Sequence, residues 1–260
     1  MKFLSVSKSG SPRGEHLNFR SLRTGPITRS IGNASGLAQR TSPCKVRYNS
    51  LDFSLSYSYS VDIMKEVINF LFEVGMLKKT PRTGYQFLGS GQESVAEHSY
   101  RTAIIGYLLS LQETGADPQK TILMCLFHDL HEARTGDHNY VNKRYVHVRE
   151  EKAIEDLAQE LPFGDKIISL TQEFREGKSL EARISRDADQ IDLILELKEQ
   201  QDLGNKSAGE WLYYAEKRLL TESAKRLAKE VMNTKFTDWW FEKKTEWWVN
   251  GPANDEKEHD

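Results

Sequence analysis

Three short stretches, Glu97-His98, Phe127-His128-Asp129-Leu130-His131-Glu132 and Arg186-Asp187-Ala188-Asp189, set histidines and carboxylates among apolar residues spaced three and four apart. Such groups, once turned toward a core, need partners there, because an unpaired buried charge is costly. The chain must therefore bring three helix-like segments together around them. A divalent cation is the partner that suits this set, since neutral imidazole nitrogens and carboxylate oxygens are its ordinary ligands. Hydrolytic chemistry at that cation is the first expectation.

From Met64 onward apolar residues recur at helical spacing and alternating runs are scarce, which predicts an all-α fold, a helical bundle with the metal site between helices. With 260 residues and 38% apolar composition, one catalytic domain over 61–235 accounts for the core. Residues 1–60 are rich in Ser, Gly and Arg, carry few acids and show no periodicity, so they read as disordered. Their composition is that of an organelle transit peptide, but no amphipathic helix and no secretory h-region accompany it. Met64 opens the first well-patterned helix, so a start placed too far upstream is the preferred reading. In the segment 236–260, Trp239-Trp240-Phe241 and Trp247-Trp248 are expected to dock onto the domain or a second subunit, and Asp255 to Asp260 to fray.

The net charge of −2 offers no global basic field, so no nucleic-acid partner is expected. Cys44 and Cys125 are too few for a disulfide framework, which suits a reducing, cytoplasmic setting. The apolar runs around Ile104 to Leu111 and Thr121 to Leu126 fall short of the roughly 18 residues that span a bilayer, so a soluble chain with no membrane partner is expected.

Ser94-Val95-Ala96-Glu97 has the form of a capping box and places His98 in a first helical turn, on a stripe with Val95, Thr102, Ile105 and Leu109. A second helix is predicted from Pro118 to Arg134, ended by Thr135-Gly136-Asp137, and others over 148–161, 164–175, 180–202 and 207–232. His98, His128, Asp129 and Asp189 are the candidate metal ligands. Glu132 lies four residues after His128 and three after Asp129, so on a continuous helix all three share one patch. It is the candidate general base or ligand of a second ion. Asp189, flanked by Ala188, Ile191 and Leu193, requires a buried partner, whereas Asp187 and Asp192 read as solvated or paired with arginines such as Arg183 and Arg186. Glu97 reads as a cap, His131 and His147 as bystanders, and Lys206 as a solvated loop lysine.

Val95-Ala96-Glu97-His98-Ser99, the His128-Asp129 doublet followed by Glu132 and Thr135-Gly136-Asp137, and Asp189 in a late helix together resemble the HD-domain metal-dependent phosphohydrolases, in particular their 5′-deoxynucleotidase branch. The resemblance covers about Val67 to Glu230. It implies hydrolysis of the phosphomonoester of a (deoxy)nucleoside 5′-monophosphate and a divalent cofactor such as Mn2+, Co2+, Mg2+ or Fe2+. It also implies a homodimer. Carried over, His98, His128, Asp129 and Asp189 become metal ligands, and Glu132 and Asp137 the acid/base pair or ligands of a second ion. Arg82, in Pro81-Arg82-Thr83-Gly84-Tyr85, stands where the family has a phosphate-binding arginine, and its planar fork suits that role. Tyr85 stands where many relatives carry Trp, at the sugar or base wall.

Other members of the family differ in ways visible here. Alarmone hydrolases carry an acid directly after the Glu, where this chain has Ala133, and the Gly-Tyr-Pro signature of cyclic-dinucleotide phosphodiesterases is missing. A deoxynucleoside triphosphate hydrolase is the competing enzyme, and a catalytically silent, metal-stabilised nucleotide-binding module is the competing non-enzyme.

Overall fold

The structure is a computed structural model that describes residues 60–241 and 247–251; the readings of 1–59 and of 255–260 concern residues outside these. Its helices are α1 (Val61–Val74), α2 (Tyr85–Leu88), α3 (Val95–Ser110), α4 (Pro118–Phe127), α5 (Glu132–Thr135), α6 (Glu150–Ala158), α7 (Gly164–Glu176), α8 (Leu180–Asp202), α9 (Lys206–Glu216), α10 (Glu222–Asn233), α11 (Asp238–Phe241) and α12 (Trp247–Asn250). Among the described residues the extended pairing is one isolated bridge, Pro81 to Ser94, so the all-α expectation holds.

The 23-residue α8 is the axis of the fold and packs against α3, α4, α7, α9 and α10. Ile184, Ala188, Ile191, Ile194 and Leu197 are fully buried along it, each large side chain contributing about 2 kcal/mol relative to exposure. That burial offsets the cost of two carboxylates on the same helix, Asp187 and Asp192, which have no solvent exposure. Helix α3 starts on the expected capping box, the Ser94 hydroxyl accepting from Glu97 N and the Glu97 carboxylate accepting from Ser94 N at 2.7 Å. Its inner stripe of Val95, His98, Thr102, Ile105 and Leu109 is buried as predicted. It crosses α4 closely at Gly106, where an added Cβ would lie 2.6 Å from Cys125 Sγ.

Several expectations need correction. Helix α1 begins at Val61, three residues before Met64, because Ser60 caps it by accepting from Ile63 N. Helix α4 starts at Pro118, with Asp117 as its cap, but ends at Phe127 rather than Arg134. Beyond it the backbone tightens: Leu130 N bonds Phe127 O and Glu132 N bonds Asp129 O, three residues apart rather than four. The His128 ring donates from Nδ1 to Cys125 O at 2.7 Å, occupying one of the carbonyls that a helix end leaves free. Glu132 therefore begins the separate short α5, and its neighbourhood to His128 and Asp129 comes from the turn, not from one helix face.

The segment 207–232 is two helices. Thr221 caps α10, and Asp187 of α8 accepts from Leu220 N and Thr221 N, both at 2.7 Å, and from Thr221 Oγ1 at 2.6 Å. Asp187 is thus neither solvated nor paired with an arginine. Arg186 instead donates to Phe174 O and Arg175 O at the end of α7, and Arg183 to Leu220 O. The aromatic C-terminal residues pack on one another, Trp240, Phe241 and Trp248 having ring centroids 5.3–5.6 Å apart. Trp239 stays 87% exposed, so it is not docked on the domain in this chain alone.

Candidate metal and substrate site

The capping box of α3, the tightened turn after α4 and the middle of α8 bring four candidate ligands together. His98 Nε2 lies 3.3 Å from His128 Nε2, 3.3 Å from Asp189 Oδ1 and 3.7 Å from Asp129 Oδ2, and His128 Nε2 lies 3.1 Å from Asp129 Oδ2. Two ligand atoms about 2.1 Å from a shared cation stand about 3.0–3.4 Å apart at ordinary coordination angles, which three of these four distances match, the 3.7 Å between His98 and Asp129 being longer. His98, His128 and Asp189 form a group able to hold an ion.

The ring orientations carry more information than the distances. His98 Nδ1 is 2.6 Å from Asp192 Oδ2, both side chains being wholly buried, and His128 Nδ1 donates to Cys125 O. Each imidazole thus uses its Nδ1–H on a fixed acceptor, which directs the Nε2 lone pairs of both rings toward each other. Two lone pairs at 3.3 Å demand a cation or a proton between them. Burial and Arg82 press the His98 pKa down, but its bonds to Asp189 and Asp192 outweigh them and raise it to about 10. Without a cation, a proton sits there. Glu132 behaves similarly: burial, with Asp129 and Asp137 nearby, pushes it up to about 9, and its Oε2 is buried with no partner. Burial opposes ionisation of Asp129 and Asp189 too, yet the histidines and Arg82 hold both below the usual carboxylate range, Asp189 at about 2. Ionised carboxylates, inward lone pairs and an orphaned carboxylate oxygen fit a divalent ion.

Asp192, expected to be solvated or paired with an arginine such as Arg183 or Arg186, is buried and does pair with an arginine, but with Arg101, whose Nε donates to Asp192 Oδ1. Arg101 also reaches Glu196, which accepts from the Tyr85 hydroxyl. A continuous polar chain therefore links His98 to Tyr85 through Asp192, Arg101 and Glu196. Sequence reasoning missed Asp192, Arg101 and Glu196. The spacing of Asp189 and Asp192 three apart on one helix was the available signal, since it places both on one face.

Arg82 pairs with Asp129 at 3.4 Å and with Glu93 at 4.0 Å, and its guanidinium, although buried, is held charged by the carboxylates around it. Asp137 stands apart from the four-residue cluster, its Oδ2 accepting from Thr83 N and Thr83 Oγ1, so it anchors the loop that carries Arg82. Arg82, Tyr85, Asp129, Glu132, Asp137 and Asp189 nevertheless line one pocket, together with Tyr140, Lys143, Gln190 and Trp211. His131 sits to the side, 3.8 Å from Glu150, although with Asp129 and Glu132 it makes a second group within ligating range. Glu97 is a cap, and Lys206 begins α9, exposed, beside a separate pocket.

The fold and this cluster define a helical hydrolase-type metal site, and comparison with known proteins supplies the family. The HD domain family model matches residues 74–232, and the chain belongs to that family. It is 31% identical over 157 residues to 5′-deoxynucleotidase HDDC2 of Homo sapiens, covering 58% of this chain and 76% of the relative. It is 33% identical over 150 residues to 5′-deoxynucleotidase HDDC2 of Dictyostelium discoideum, covering 53% and 79%. A solved structure described as a conserved hypothetical protein from Pyrococcus furiosus aligns with a TM-score of 0.57 at 29% identity, over 64% of this chain and 99% of that one.

Proposed function

We propose that this chain is a metal-dependent phosphomonoesterase that hydrolyses (deoxy)nucleoside 5′-monophosphates to nucleoside and phosphate. The observation that carries the reading is the facing pair of His98 and His128 Nε2 atoms, flanked by ionised Asp129 and Asp189. The names of the relatives point to the same activity. His98, His128, Asp129 and Asp189 would hold the ion, with Mn2+, Co2+, Mg2+ and Fe2+ all compatible with two imidazoles and two carboxylates. When bound, the ion would acidify water and neutralise charge that builds on the phosphoryl oxygens.

The chain's own groups do the rest. Arg82 binds the phosphoryl oxygens through its fork and exchanges its pairing with Asp129 for substrate. Glu132, with its unpaired Oε2, takes the proton from the attacking water. Asp137, on the same pocket wall, would deliver a proton to the departing 5′-oxygen, while its Oδ2 holds the Arg82 loop through Thr83. Carboxylates dominate the pocket wall, with Arg82 and Lys143 as its permanent cations. That balance disfavours a triphosphate, whose charge needs more of them.

A homodimer completes the proposal: the outer face of α3 leaves Tyr100, Ile104, Tyr107, Leu108 and Leu111 exposed, an apolar strip that a second copy would cover. No helix among the described residues is long and apolar enough to cross a membrane. With the free, buried thiol of Cys125, this accords with a cytoplasmic setting. The test is phosphate release from a panel of ribo- and deoxyribonucleoside 5′-monophosphates, with Asp129→Ala as control. Release by the wild type that the variant lacks is expected; no release from any monophosphate would overturn the proposal in favour of triphosphates or a silent binding module.

A further inference from the structure

The pocket lining is of two chemical kinds: Arg82, Asp129, Glu132 and Asp189 are charged, whereas Trp211, Tyr140, Leu88 and Leu193 are aromatic and apolar. Trp211, on α9, reaches this pocket because residue 84 has no side chain: a Cβ there would come within 3.0 Å of the indole Cη2. The indole thereby seats against the loop that carries Arg82 and Tyr85. Tyr140 follows Asn139, whose Oδ1 accepts from Val141 N and Asn142 N at 3.0 Å and whose Nδ2 donates to Gln86 Oε1 at 3.3 Å. This fixes the turn from which Tyr140 projects.

The two rings meet edge to face, with centroids 6.3 Å apart at 65°. The Arg218 guanidinium lies 4.8 Å from the centre of the Tyr140 ring and donates to Gln190 Oε1, while Gln190 Nε2 donates to Asp189. Tyr140 is thus tied through Arg218 and Gln190 to Asp189. Yet Tyr140 remains 52% exposed. A ring held in place on several sides while half its surface stays open is organised for a ligand rather than for packing.

We propose that Trp211 and Tyr140 form the subsite for the planar base of the nucleotide, which stacks on one ring and meets the other edge-on; this rests on the phosphomonoesterase reading above. A phosphate at Arg82 leaves the base of the substrate within the pocket that these rings also line. The neighbouring amides, Asn139 and Gln190, already engage their carbonyl and one amide hydrogen within the protein, and the rings offer the broad apolar surface beside them.

The test compares deoxyadenosine 5′-monophosphate with 2-deoxyribose 5-phosphate, which lacks the base, for the wild type, Tyr140→Leu, Trp211→Leu and Trp211→Phe. Stacking on one aromatic ring predicts a fall of roughly tenfold in the kcat/KM preference for the nucleotide in each Leu variant, expressed mainly in KM, with Trp211→Phe retaining most of it. Because Trp211 is partly buried, its variants are checked by thermal melting, and the exposed Tyr140 carries the test if Trp211→Leu does not fold. An unchanged preference in Tyr140→Leu, or a wild type that shows no preference while cleaving both esters, overturns the stacking subsite alone. A wild type that cleaves neither ester overturns both the subsite and the phosphomonoesterase reading.

Discussion

Asp192→Asn removes the one charge that fixes His98 in the orientation the site requires. In the wild type Asp192 Oδ2 stands 2.6 Å from His98 Nδ1, both groups having zero exposure, and Arg101 holds the other oxygen. An asparagine has two ways to sit there, and both cost. With its carbonyl on His98, the amide NH2 faces the Arg101 guanidinium, donor against donor. With the NH2 on His98, the imidazole must carry its proton on Nε2 and lose the lone pair that faces the site. Loss of a carboxylate behind a ligating histidine lowers metal affinity about 10- to 100-fold, or about 1.4–2.7 kcal/mol. The short contact and full burial here favour the upper half of that range. Calorimetric titration of metal-stripped protein with Mn2+ or Co2+ measures it, and thermal melting without metal shows whether the fold survives. A folded Asp192→Asn protein that binds the ion within twofold of the wild type would refute the argument that Asp192 sets the His98 tautomer.

Other perturbations read different parts of the account. Metal binding must displace the proton that His98 holds up to pH about 10 in the metal-free protein, so affinity should rise with pH between 6 and 8. Each displaced proton adds roughly tenfold per pH unit, and titrations at a series of pH values that show no slope would contradict it. Glu132→Gln should keep metal binding and lose roughly 100-fold or more in kcat; single-site titration beside phosphate-release kinetics separates the two. Asp187→Ala strands the buried donors of Leu220 and Thr221 at the start of α10 and should cost about 3 kcal/mol in chemical denaturation, with Asp187→Asn losing less.

Much of the fold was legible because it rests on local chemistry. The Ser94–Glu97 capping box, the Asp117 cap, the bounds of α8 and the buried stripe of α3 all follow from side chains acting within a few residues of themselves. The cluster of His98, His128, Asp129 and Asp189 was nameable because polar groups on apolar stripes need a shared partner. What failed depended on groups distant in the chain. Helix α4 stops early because the His128 ring takes the Cys125 carbonyl, and the α9–α10 break is held by Asp187, more than 30 residues away. Asp187 and Asp192 looked like surface charges beside Arg183 and Arg186. Only packing of α8 against α3 and α10 reveals that their partners are Arg101, His98 and backbone donors. Tyr140 and Trp211 carried no pattern at all, because a pocket wall assembled from a loop and a later helix has no period.

Phosphate release should depend on an ion held by His98, His128, Asp129 and Asp189. The direct test measures bound metal and phosphate released from deoxyadenosine 5′-monophosphate together, as Mn2+ or Co2+ is returned stepwise to stripped protein, with His128→Ala in parallel. Release should rise in proportion to bound metal in the wild type, and His128→Ala should show neither tight binding nor release. Release from stripped protein without metal, or an unaltered metal-dependent rate in His128→Ala, would contradict that dependence.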